Sequence, residues 1–150
     1  MNEFTARKLG EVVAFSNVGL ELAERSGDAF TTAMGEKMAI QFREELKGFA
    51  DIATQHGTDV TTEKAEKTTT KLRAMMEWYI GDEWNNPVEV LEWLSFFTGS
   101  GAAHWALVSG VAQAEQLSDL EVQAIQAKDR YHAYLHHVIE TLTETGKSRS

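Results

Sequence analysis

The chain of 150 residues contains no cysteine, which removes disulfide staples, thiolate metal sites and a cysteine nucleophile together. It has a single proline, Pro87, and no run of two-residue alternation bounded by hairpin turns, so a β-sheet has no pattern to build on. Basic residues are few. Against 23 Asp and Glu there are 14 Lys and Arg, a net charge of −9, and no cluster of them forms a stripe for phosphates. Nucleic acid and anionic membrane surfaces are disfavoured as partners by that sign. The N-terminus, with an acid at Glu3, has no apolar run ending in a cleavage-like site, so no signal peptide and a cytoplasmic location are expected. Neither a G-x-S-x-G elbow nor a glycine loop followed by lysine occurs, which leaves nucleophilic and phosphate chemistry without support.

What is present is hydrophobic periodicity. Hydrophobic residues make up 43% of the chain, enough for one globular domain over 1–150. They return at three- and four-residue spacing nearly throughout, which predicts an all-α fold. Five helical segments follow. The first is predicted from Glu3 to Arg25, ending at Ser26-Gly27. The second runs from an Asp28 cap to His56 and is closed by Gly57. The third starts after Thr61 or Thr62 and stops near Gly81. Asn86-Pro87-Val88-Glu89 then reads as a cap, a first-turn proline and a capping-box acid for the fourth, which ends near Gln116. Ser118-Asp119-Leu120-Glu121 reads as another capping box, with Leu117 and Val122 as a hydrophobic staple. That helix reaches Thr145, before a frayed tail over 146–150.

The stretch 93–112, WLSFFTGSGAAHWALVSGVA, has the length of a membrane span and no formal charge. Three serines, a threonine, three glycines and a histidine keep its hydropathy modest, and acids flank it without a Lys/Arg excess, so it reads as a buried helix. The expected architecture is an up-and-down bundle of four main helices plus an additional helical segment, with the fourth helix central.

Two polar residues lie inside apolar arcs. His104 falls near the middle of the fourth helix's broad face, with Gly99 and Gly101 leaving space beside it and Trp105 next to it. Glu45 falls within the second helix's inward arc of Phe42, Leu46 and Phe49. A buried carboxylate needs a partner, and carboxylate plus imidazole on facing helices is how bundles hold metals. His104 and Glu45, with Gly99, Gly101 and Trp105 lining the space, are therefore the candidate ligand site. A metal or haem ligand set would draw on His104, Glu45 and His132. His132 and His136 are four apart on one helix, but no H-E-x-x-H occurs. Asp129 and His132 have acid-x-x-His spacing, but no Glu-x-x-His appears anywhere, as a di-iron bundle would require.

The aromatic cluster Trp78, Tyr79, Trp84, Trp93, Phe96, Phe97 and Trp105 reads as core, except Trp84, which sits in a polar linker. The first helix has two apolar stripes, and the second of these, Phe15, Val18 and Leu22, is the predicted homodimer interface. No complete catalytic constellation emerges. The preferred expectation is a non-enzymatic bundle without a cofactor, acting through homodimerisation and partner or small-ligand binding. A metal- or haem-binding bundle is the alternative.

Overall fold

The computed structural model describes residues 1–149 and is all-helical, with no strand among the described residues. Its five helices are α1 (Glu3–Met34), α2 (Glu36–His56), α3 (Asp59–Ile80), α4 (Pro87–Ala114) and α5 (Ser118–Ser148).

Glycines set the first boundaries, though not where the sequence suggested. Gly27 does take a positive φ of 46°, but it only kinks α1, which resumes and runs to Met34. The chain stops helical winding at Gly35 (φ 82°), so the second helix begins at Glu36 rather than after Asp28. Phe30, Met34, Met38, Phe42 and Leu46 keep a four-residue rhythm straight across that break, so periodicity alone could not reveal it. α3 starts earlier than expected because Thr61 is part of its cap. The Thr61 hydroxyl accepts from the Thr58 N–H at 3.0 Å and donates to the Ala6 carbonyl of α1 at 2.8 Å.

Asn86 caps α4 as expected, its Oδ1 accepting from the Val88 N–H at 3.0 Å, with Pro87 following. The Asn86 N–H, however, bonds the Glu83 carbonyl rather than Glu89. The predicted box at Ser118 does not form either. Leu117 holds the cap position without a side-chain bond, and Val122 stays exposed, so there is no staple. α5 extends to Ser148, three residues past its expected end.

α1 packs against all four other helices, and α4 lies between α1 and α5. Aromatic rings join α1, α2, α4 and α5 into one core: Phe15–Phe97 at 5.5 Å, Phe42–Tyr134 at 5.1 Å, Phe49–Trp105 at 5.8 Å and Phe97–Tyr131 at 6.0 Å. α3 is the additional helix, laid along another side of α1. There Gly10 lets the α3 backbone approach, Asn17 meets Thr69, and Arg73 pairs with Glu21 at 2.8 Å.

This arrangement corrects the predicted dimer interface. Phe15, Val18 and Leu22 are buried inside the chain, because α1 turns that stripe toward α2 and α4 while α3 covers another side. They offer nothing to a second subunit.

A polar tie closes the end where α1 begins and α4 finishes. Glu115 accepts from the Thr5 hydroxyl and from the Asn2 N–H at 2.7 Å, with the N-terminal ammonium 3.8 Å away. The Thr5 hydroxyl, and behind it the Asn2 N–H and the ammonium, hold the Glu115 carboxyl below its ordinary 4.5 despite some desolvation. A depressed carboxyl contributes stability above 4.5 and loses it as pH falls through the folded value. An NMR titration of the Glu115 carboxyl carbon should give a midpoint below 4.5 that rises toward it in Thr5→Val. Equal midpoints in the two proteins would contradict the tie.

Candidate functional site

The sequence-predicted site residues are placed in separate surroundings. Glu45, half-buried, accepts from Arg130 Nε through its two carboxylate oxygens, at 2.7 and 3.0 Å, and from the Tyr134 hydroxyl at 2.5 Å. The glutamate within an apolar arc is thus paired across to α5, not to His104. Its charge holds Arg130 above the ordinary guanidinium value, chiefly through the hydrogen bond. Burial and then Glu45 push the Tyr134 phenol up.

His104 is half-buried against the Phe15 ring at 4.8 Å, and its Nδ1 lies 2.7 Å from the Ser100 carbonyl oxygen. That contact makes Nδ1 the protonated, donating nitrogen. The space expected beside His104 is filled in part. A Cβ at Gly101 would stand 2.4 Å from the Tyr131 ring, so Gly101 is small to admit a tyrosine rather than a ligand. Trp105 is fully buried in the core. His132 is exposed on the outside of α5, and His136 there meets Glu140 at 3.0 Å. Among the described residues no three His, Asp or Glu side chains are grouped so as to hold a metal ion. The Tyr131 hydroxyl is pushed up by burial, with Ser16 opposing, although the two make no hydrogen bond of good geometry.

The surface that stands out was not among the candidates. α4 was expected to be enclosed, yet Phe96, Ser100, Ala103, Leu107, Gly110 and Ala114 are exposed. Their spacing of four, three, four, three and four places them on one outward stripe, about 27 Å long. No Asp, Glu, Lys or Arg occurs between Glu92 and Glu115, so the stripe carries no formal charge. The outer face of a helix in water is ordinarily the charged one.

Beside the N-terminal end of the stripe lies an apolar groove of about 580 Å³, lined by Ala74, Met75, Trp78, Tyr79, Trp93 and Phe96. Trp78 is 84% exposed, Phe96 58% and Met75 56%. The core assignment of Trp78 and Phe96 is therefore wrong. α3 turns Ala65, Thr69, Met76 and Ile80 inward, which leaves Met75 and Trp78 outside. Tyr79 packs edge-on to Phe96 at 5.2 Å and against Trp93 at 5.9 Å. Its phenol is raised by burial first, then by Glu92 and Glu89. Trp93 is only 4% exposed, and its indole N–H has no partner among the described residues. Trp84, by contrast, folds back on the bundle, stacked on the Arg25 guanidinium at 3.9 Å and bonded to the Gly81 carbonyl.

Two glycines sharpen the reading of α4. A Cβ at Gly110 would meet nothing within 4 Å among the described residues, and one at Gly99 only Leu135, at 4.0 Å. A glycine inside a helix costs about 0.5–1 kcal/mol relative to alanine, and packing within the chain does not require it at either position. A second groove, of about 770 Å³, runs between α1 and α3 and is lined largely by threonines. Several of its polar groups are engaged within the chain: Thr61 with Ala6, Thr69 with Asn17, Thr70 with the Glu66 carbonyl and Arg73 with Glu21.

No family model matches the chain. No curated protein and no solved structure matches it either. The uncharged α4 stripe and its aromatic groove are thus read from their own residues. One signal for them was in the sequence: a helix whose inward set is Val90, Leu94, Phe97, Gly101, Trp105 and Val108 must turn the complementary set outward, and from Phe96 to Ala114 that set contains no charge.

Proposed function

We propose that this is a non-enzymatic helical-bundle protein that acts through self-association and through binding on its α3–α4 face. The observation that carries the reading is the charge-free outward stripe of α4 running into the exposed Trp78–Phe96 groove. A contiguous exposed apolar surface on a chain whose remaining charge is plentiful is the mark of a face that is covered in use. The groove's volume also falls in the range of small-molecule pockets, so an apolar side chain or small ligand fits it. The absence of cysteine suits a reducing compartment such as the cytoplasm. No helix among the described residues is long and apolar enough to cross a membrane.

The test is a charge placed on the stripe. Leu107→Lys should leave helicity unchanged, since Leu107 is exposed within the chain, while reducing the sedimentation mass from dimer to monomer. A dimer that survives Leu107→Lys and also Phe96→Lys would remove this face from the account.

A further inference from the structure

We infer that the α4 face is covered by a second copy of this chain, packed antiparallel across a two-fold axis beside Ala103. The inference rests on the self-association proposed above and specifies its geometry. In an antiparallel helix pair the register runs in reverse, so each position faces one equally far on the other side of the axis. With Ala103 on the axis, Phe96 stands over Gly110 of the second copy, Leu107 over Gly99 of the second copy, and Ser100 over Ala106 of the second copy. The two large side chains of the central stripe each meet a glycine, and the small residues between them let the two backbones come close. Because the interface is isologous, both copies satisfy the same pairs at once. A parallel pair would set Phe96 on Phe96 and Gly110 on Gly110, crowding one end and leaving a void at the other.

The match of each large side chain to a glycine under a two-fold supports a copy of the chain over an unrelated partner. Two copies of net charge −9 repel overall, so they can meet only where a surface holds no charge, as the α4 stripe does. A basic partner would find nothing on the stripe to pair with. Glu92 falls opposite Ala114 of the second copy and Glu115 opposite Leu91 of the second copy, so neither carboxylate lies directly over another. The glycines agree. Gly101 is explained by Tyr131 inside the chain, whereas Gly99 and Gly110, the two that this register places under Leu107 and Phe96, are not. The unpartnered indole N–H of Trp93, which lines the groove next to Phe96, adds a buried polar group at the end of the same surface.

The chain has no cysteine, so single cysteines report position without background. Helix axes about 8 Å apart bring two position-103 Cα atoms within the roughly 4.4–6.8 Å that a disulfide spans. Ala103→Cys should therefore oxidise almost completely to a covalent dimer. Ser100→Cys and Ala106→Cys should cross-link with each other when mixed and poorly when alone. Gln126→Cys, exposed on α5, should stay uncross-linked. Self-linking of Ser100→Cys and of Ala106→Cys without a mixed product would mean a parallel pair and overturn the inference. A dimer by mass that cross-links only at Gln126 would overturn it too, and would also remove the α4 face. A dimer by mass that is dissociated by Leu107→Lys but cross-links at none of these positions would overturn the register alone. A chain that is monomeric by mass would overturn both readings.

Discussion

Trp105→Ala is expected to lower folding stability by about 3–5 kcal/mol, the range for truncating a large buried aromatic. Trp105 has no exposed surface, packs edge-to-face on Phe49 at 5.8 Å, and belongs to the core that joins α1, α2, α4 and α5. Phe49 comes from α2 and packs in turn on Tyr131 of α5, so the surroundings can close over the cavity only by moving helices. Trp105→Phe should cost much less. It keeps most of the ring area and deletes an indole N–H that is buried without a partner among the described residues. Urea unfolding at unchanged m-value checks both variants. A loss under about 1 kcal/mol in Trp105→Ala would mean that the core is not packed as described.

Gly101→Ala should destabilise by about 1–3 kcal/mol, although the same change in an ordinary helix interior stabilises by up to about 1 kcal/mol. The new Cβ would meet the Tyr131 ring at 2.4–2.5 Å, and that ring is locked between Phe49 and Phe97. Gly110→Ala makes the contrast. Nothing among the described residues lies within 4 Å of its Cβ position, so thermal unfolding of the isolated chain should show the ordinary gain of about 0.5–1 kcal/mol. The same alanine should weaken the dimer, because the Phe96 ring of the second copy would lose its seat. Opposite signs at two glycines nine positions apart on one helix distinguish packing within the chain from packing outside it. If Gly101→Ala stabilised the chain, the account of α4's inner face would be wrong.

The fold was legible wherever a boundary carried its own chemistry. Asn86-Pro87 announced the start of α4. Boundaries failed where the periodicity ran through a break, as at Gly35, or where a local motif lost to backbone bonding. At α5, Leu117 took the cap and the Glu121 N–H bonded the Leu117 carbonyl instead of the Ser118 side chain. Where the first helix's second stripe packs is a matter of tertiary structure that no local pattern states: it faces α2 and α4, while α3 lies along another side of α1.

The site was less legible, and for a different reason. The two polar residues that interrupt apolar arcs are both satisfied locally. Glu45 has Arg130 and Tyr134, and His104 has the Ser100 carbonyl. The informative anomaly was the reverse one, an outward arc of α4 that lacks charge. The pattern masks it, because a helix apolar on every side is ordinarily an enclosed one. In this bundle α4 is enclosed by α1 and α5 but keeps one side free beyond Phe96 and Leu107.

The central claim is that the α4 stripe is covered by association, and the most direct test is the mass of the unmodified protein in solution. Light scattering across a dilution series should give twice the 16.7 kDa of one chain at high concentration, falling toward one chain on dilution. A mass of one chain at every concentration would contradict the account.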